Sequence, residues 1–588
     1  MGKKKIAGLF ILIVICIFCV GFGFSPQQGA LGRDKDLEFA SGSGITIEQV
    51  SDLQMESLYK LCKVWGYAKY HHPSVVDGTL NWDAQLFRVM PKLLEAGTGE
   101  EANEILYVWL NSFAYETPVP GKTEEAWITL QKEAGFQSLD TAWIGNRELF
   151  GEKLCSSLER LSQTLLAERS NAYAAFDYTS PYVNFDNEMP MPVEQGDDGV
   201  KLLSLFRFWN AYEYYSPNIE ITKKDWDLVL KESIPKLLAA DDHRSYVLAI
   251  AGVAAETGDA HISVYDSERV IQNYYGKYSL SCRFKNVDGQ VVVAYAPKDS
   301  GSQGLKPGDV ILKIDGLPIE ERIKELSQYT ALSEPDKFAL LLSRSLLKTD
   351  KAEVEVLVLR DGTEVTLKAA ATQKGFQFKN PYKNGMLEQE QIGYIDPSAL
   401  KKGDIEKLMK EFADTKGIIV DLRYYPSVFI PYLLGEYVTP EPKQFARMTF
   451  PNRAIPGSFF YSDECMSGAG VLAGTGQPGA YPPYGGKLVL LMDETTQSQP
   501  EFTIMALRQA PNSVVVGSPS IGSDGNVVKL TLPGTVEFYF TGLGVFTPEG
   551  EQTQRVGLKP DIVCYPTVEG LRNGRDELVE KAVEIILK

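Results

Sequence analysis

The chain has 588 residues, 44% of them hydrophobic and 11% aromatic, with a formal charge of −18 at neutral pH. Such a supply of apolar side chains builds several cored domains and excludes a disordered chain, while the acidic balance excludes a basic nucleic-acid binder. Seven cysteines are scattered without metal spacing and four histidines form no zinc signature, so no disulfide framework, metal site or cofactor is expected.

Residues 1–24 open with Met1-Gly-Lys-Lys-Lys5 and continue as an uncharged apolar run from Ile6 to Phe24. This pattern predicts a signal peptide or a membrane anchor, with the bulk of the chain outside the cytoplasm; a poorly defined cleavage site leaves both open. Residues 25–46 read as a linker.

A repeat follows. Trp65, Tyr70, Pro73, Trp82, Asp83 and Pro91 recur at one constant offset as Trp209, Tyr214, Pro217, Trp226, Asp227 and Pro235. Each copy reads as a helix, a Pro-containing turn and a second helix, giving two related helical units at 47–185 and 186–278 whose shared residues are of core type. Only the second copy runs on to Thr257-Gly-Asp-Ala-His261, so one unit alone carries a candidate for chemistry. A histidine at a helix end is more often a cap or a packed core residue, and other features must raise it.

From 279 to 375 the pattern changes to short β-runs such as Val291–Tyr295, Val310–Ile314 and Val354–Leu359, with a tight Asp315-Gly316 turn. Beyond 385, apolar strands alternate with helical segments to the C-terminus, which implies a largely parallel sheet covered by helices. Residues 439–486, rich in Pro, Gly and aromatics, read as a lid or a substrate-facing loop. The run Leu488–Met492 breaks into Asp493-Glu-Thr-Thr-Gln-Ser498 and restarts as a helix after Pro500, so Ser498 sits on a strand-to-helix corner where helix amides can stabilise an oxyanion. In isolation such a serine is an ordinary turn residue.

Taken in order, the helical unit ending in His261, the β-rich insert with Gly304-Leu-Lys-Pro-Gly-Asp309, the strand Ile418-Ile-Val-Asp-Leu-Arg423 and Thr496-Gln-Ser498-Gln-Pro-Glu501 resemble the C-terminal processing (tail-specific) serine peptidases, and more closely their tricorn-like branch. The insert resembles a PDZ domain of the bacterial protease type, with Leu280–Phe284 as the candidate peptide cradle. The resemblance implies a multidomain α+β chain: N-terminal helical units, a PDZ-like β-rich domain at 279–375 and a crotonase-like α/β peptidase core at 385–588. It also implies Ser498 as nucleophile. Where the tail-specific branch places its lysine, this chain has Ser523, which is no base near neutral pH; a Ser–Lys dyad would need Lys529. His261 matches the base of the tricorn-like branch.

The same resemblance places the oxyanion donors at the backbone of Gln499 and, in a turn that lacks the family's Gly-Gly pair, at Ser427 or Val428. The acid that would orient the histidine is replaced by Gln554, with Glu551 as a nearby substitute. The expected activity is therefore serine endopeptidase hydrolysis of proteins or peptides through an acyl-enzyme. A non-catalytic peptide-binding protein on the same fold is the main alternative, and a carrier of an apolar ligand in the aromatic-rich helical units a second.

Overall fold

The computed structural model describes residues 31–115, 135–137, 140–166, 168–176, 182–296, 304–334, 338–374, 378–387, 391–472 and 482–588. The expected signal peptide or anchor lies outside them, and no helix among the described residues is long and apolar enough to cross a membrane.

The repeat resolves into two helix pairs: α1 (Asp52–His71) with α2 (Trp82–Leu94), and α3 (Asp198–Tyr215) with α4 (Trp226–Leu238). Ser51, Asn81, Asp197 and Asp225 cap the four N-termini by accepting amide hydrogen bonds. A buried indole N–H needs an acceptor, and the repeated tryptophans supply one another's. Trp65 donates to the carbonyl of Trp82 at 3.0 Å and Trp82 to that of Trp65 at 2.9 Å; Trp209 and Trp226 repeat the exchange at 2.8 and 3.2 Å. This reciprocal lock is what the recurring spacing encodes. The pairs meet where α1 crosses α3 at Gly66: a Cβ there would stand 1.7 Å from Asn210 Oδ1, so only glycine permits the approach. The segment before α1 is docked rather than free, since Asp198 accepts from the amide of Ile47 at 2.6 Å. Helix α5 (His243–Ala255) then leads through a turn to β1 (Ser263–Tyr265).

Five antiparallel strands follow: β2 (Arg283–Val287), β3 (Gln290–Tyr295), β4 (Val310–Ile314), β5 (Glu353–Arg360) and β6 (Thr363–Thr372), ordered β6-β5-β4-β3-β2 in the sheet. Asp288-Gly289 and Asp361-Gly362, all at positive φ, close the β2–β3 and β5–β6 hairpins. Strand β2 lies at the edge and carries Arg283 and Lys285 onto the C-terminal core, to Tyr424 and Asp493.

The core sheet runs β7 (Ile392–Ile395), β8 (Gly417–Asp421), then two strands of another sheet, β9 (Lys443–Pro451) and β10 (Ser458–Ser467), then β11 (Lys487–Met492), helix α6 (Gln499–Leu507) and β12 (Ser513–Gly517). After these come β13 (Val527–Leu532), β14 (Val536–Thr541), β15 (Ile562–Val563) and α7 (Glu577–Leu587). Strands β7, β8, β11, β12 and β15 pair in parallel in that order. Ile418, Val420 and Leu490 pack with α6, while Ile419, Val489 and Leu491 pack with Leu578, Ala582 and Ile586 of α7. Both faces are buried, which is why the strands read as continuous apolar runs.

Within 439–486 the structure differs from the expected irregular stretch, since β9 and β10 form an antiparallel hairpin with two register shifts, while residues 473–481 of the expected lid lie outside the described residues. Those irregularities break the period-two alternation on which a strand is recognised. One small sheet joins the halves of the molecule. Strand β14 pairs with β13 on one side and with β1 on the other, Glu537 opposite Tyr265, Phe538 opposite Val264 and Tyr539 opposite Ser263. Its inner residues pack on the second helical unit, the Phe538 and Phe208 rings lying 4.6 Å apart.

Candidate active site

Ser498 stands at the corner between β11 and α6. A regular N-cap residue is extended, but Ser498 has φ 64° and ψ −123°, a conformation that costs a non-glycine residue about 1–3 kcal/mol. Its N–H is held by the Ser523 carbonyl at 2.8 Å and by Glu501 Oε2 at 2.9 Å. Glu501 is buried and also accepts from the Ser520 hydroxyl, Gly522 N (2.9 Å) and Ser523 N (3.0 Å). Burial pushes its carboxyl above the ordinary glutamate value, against these donors. Glu501 thus ties the strained corner to the turn 520–523.

Upstream, Asp493 anchors the same corner. Burial works to raise its carboxyl, but the Lys285 ammonium from β2 and the Thr495 hydroxyl hold it below the ordinary range. Lys285 is held above its ordinary value: the burial that would lower it is outweighed by Asp493 and Glu494.

His261 sits in the turn between α5 and β1. Its Nδ1 lies 3.0 Å from Thr541 Oγ1, and Thr541 Oγ1 donates to Asp259 Oδ1 at 2.9 Å. The β1–β14 register explains the meeting: carried two residues beyond the Ser263–Tyr539 pair, it sets Thr541 opposite His261. Gln497, next to Ser498, donates to the carbonyl of Ala260, next to His261, at 3.1 Å. Ser498 and His261 line one open cleft of about 450 Å³ together with Tyr265, Tyr425, Val527 and Tyr539. The Tyr425 phenol interacts with the Ser498 side chain.

The other expected residues fall as follows. Gln499 opens α6, so its N–H has no acceptor within the helix, and its side chain donates to the Val428 carbonyl at 3.0 Å. Ser427 is a correction: its N–H is spent on the Pro397 carbonyl at 3.0 Å and its hydroxyl on the Leu400 carbonyl, so it offers no oxyanion donor. Gln554 is buried but its hydrogen bond goes to Asp259 Oδ1 at 2.9 Å, not to His261. Glu551 lies in an exposed turn closed by the amide of Thr547 and is not brought to the cleft. Lys529 pairs with Glu537 at 3.3 Å on the exposed face of the β13–β14 hairpin, and Ser523 is buried behind the Ser498 turn. Arg423 is bound by Asp421 and Asp576.

Two residues at the site escaped sequence reasoning, Asp259 and Thr541. Asp259 lies within the Gly-Asp-Ala-His261 motif and reads locally as a turn residue; Thr541 carries no local signal. Among the described residues no group of His, Cys, Asp or Glu is placed to hold a metal.

No curated protein matches the sequence. Mature CPAF complexed with lactacystin is similar in structure, with a TM-score of 0.50 at 14% identity over 66% of this chain and 98% of that one. A serine-to-alanine mutant of CPAF gives 0.51 at 14% identity over 66% and 97%. The photosystem II D1 C-terminal processing protease gives 0.38 at 16% identity over 64% and 98%. The CPAF likeness establishes a shared fold. Residues 457–564, the stretch that contains Ser498, Glu501 and Thr541, match the model of peptidase family S41, and in that stretch the chain is similar to this family of serine-type peptidases.

Proposed function

We propose that the chain is an extracytoplasmic serine endopeptidase, exported or anchored by residues 1–24, with Ser498 as nucleophile and His261 as general base. The observation that carries this is the strained φ of Ser498 at a strand-to-helix corner, held by Glu501 and lining the same cleft as His261. Strain of this kind persists only where the surroundings enforce it. In the reaction, Ser498 Oγ attacks the scissile carbonyl carbon as its proton passes to His261 Nε2. The resulting oxyanion takes the Gln499 N–H at the positive end of α6. The second donor is the N–H of Val428, which has no acceptor among the described residues and whose carbonyl is fixed by the Gln499 side chain. Collapse expels the amine, which collects the proton from His261, and water then cleaves the acyl-enzyme by the same steps.

The β-rich domain at 279–375 is read as PDZ-like, binding the C-terminal end of a protein or peptide substrate by strand addition. The test is a fluorophosphonate probe on the purified full chain. Label that maps to Ser498, disappears in Ser498→Ala and falls strongly in His261→Ala supports the assignment. No label under peptide-cleaving conditions would leave a peptide-binding protein on this fold, and loss of label in Lys529→Ala but not in His261→Ala would replace the base.

A further inference from the structure

A buried carboxylate stands one hydroxyl away from the imidazole of His261. Asp259 is 1% exposed, and its Oδ1 accepts from Thr541 Oγ1 at 2.9 Å, Gln554 Nε2 at 2.9 Å and His261 N at 3.0 Å, while Oδ2 accepts from Thr541 N at 2.8 Å. A buried carboxylate with four donors is anchored as an anion acceptor and has little freedom to turn.

A threonine hydroxyl owns one proton. Donated to Asp259, it leaves only lone pairs toward the imidazole, so the 3.0 Å contact requires that His261 Nδ1 carry the proton. Nε2 is then the bare nitrogen, as a base toward Ser498 needs. We propose that Asp259, acting through the Thr541 hydroxyl, is the positioning acid of His261. When the imidazole takes the Ser498 proton, the Nδ1–H···Oγ1 bond becomes charge-assisted, and the Thr541 dipole, polarised by Asp259, stabilises the imidazolium. Gln554 serves this pair from behind, as a donor to Asp259. Arg555 packs against Gly258 and is bound by Glu334 at 2.9 Å; Tyr265, Tyr425 and Tyr539 line the cleft side.

The proposal rests on His261 as base, and the variants separate the two. Thr541→Val removes the hydroxyl at nearly constant volume; Thr541→Ser keeps it. The expected result is a fall of about 10²-fold in kcat for Thr541→Val with KM little changed, and recovery to within about threefold of wild type in Thr541→Ser. The acid limb of the kcat/KM profile should move to lower pH in Thr541→Val and in Asp259→Asn, since both lose stabilisation of the imidazolium. Wild-type kcat and an unmoved limb in Thr541→Val overturn the relay, as does a Thr541→Ser as impaired as Thr541→Val. A readout independent of activity is ¹⁵N NMR of labelled histidine in the full chain. A neutral His261 protonated at Nδ1 in wild type, with that preference lost in Thr541→Val, supports the relay even if Ser498 takes no probe. A bare Nδ1 overturns it even if Ser498 is labelled.

Discussion

Gln497 donates its side-chain N–H to the carbonyl of Ala260 across 3.1 Å, joining the residue before Ser498 to the residue before His261. Ser498 and His261 are far apart in the chain, one on a corner of the core sheet and the other on a turn after the second helical unit. This hydrogen bond and the β1–β14 pairing both act on their separation. Gln497→Leu should therefore lower kcat by about tenfold with a much smaller effect on KM, because misplacement by a fraction of an ångström is felt in the transition state. Gln497→Glu, which cannot donate to a carbonyl, should do at least as much harm. Steady-state kinetics and the rate of probe labelling check this; a Gln497→Leu enzyme with wild-type kcat would show that this hydrogen bond does not set the distance.

Lys285 is the only cation that reaches Asp493 among the hydrogen bonds of the described residues, and it comes from the β-rich domain. Removing one partner of a buried pair leaves an uncompensated charge, at about 3–5 kcal/mol, whereas replacing both with apolar groups is often close to neutral. Lys285→Met should lower the urea midpoint strongly, and Lys285→Met with Asp493→Leu should recover much of the loss. The sign with pH follows from the depressed Asp493 carboxyl: its contribution is present above the ordinary aspartate value and fades as pH falls through the lower folded value. If the single and double variants unfold alike, the pair does not hold the Ser498 corner to the β-rich domain.

Local signals made part of this site readable. Ser498 sits where an apolar run, a polar turn and a Pro-started helix follow one another, and His261 closes a motif that the sister repeat lacks. The tryptophan exchange behind the repeat is likewise written in spacing, because both members lie on neighbouring helices. Thr541 could not be found this way: it meets His261 only through a register between strands far apart in the chain. Gln554, which the resemblance places at the orienting position, does lie in the cluster, two hydrogen bonds further from the imidazole than expected. Ser427 failed for a different reason. Sequence counts amides but does not say which of them a turn has already used.

The donor role of Gln554 gives a result opposite to the one its family position suggests. On the resemblance alone, a glutamate there completes the site. Its carboxylate would instead replace an N–H donor at 2.9 Å from Asp259 with an acceptor, and two buried carboxylates at that distance cannot both ionise. Gln554→Glu should keep activity only while the shared proton lets residue 554 donate to Asp259, and lose it as pH rises and that proton is given up. A pH–rate profile decides this, and a gain in kcat/KM at neutral pH would mean that a carboxylate at 554 reaches the base directly.

The helical units carry their own pH dependence. Burial pushes the Glu213 carboxyl up to about 7, with Lys63, 3.9 Å away, opposing the rise only in part. The unfolded chain releases this proton near the ordinary glutamate value, about 4.3. Between that pH and about 7 the unfolded state therefore binds fewer protons than the folded one, and stability falls as pH rises, by about 4 kcal/mol in all. On the acid side burial holds His71 down to about 3 and His72 to about 4, so the unfolded state takes up their protons first and stability falls as pH drops below about 6.5. Glu213→Gln removes the first slope and leaves the second. It should be more stable than wild type in urea at pH 8 and equal to it at pH 4; equal stability at both would show that Lys63 keeps Glu213 ionised in the fold at no cost.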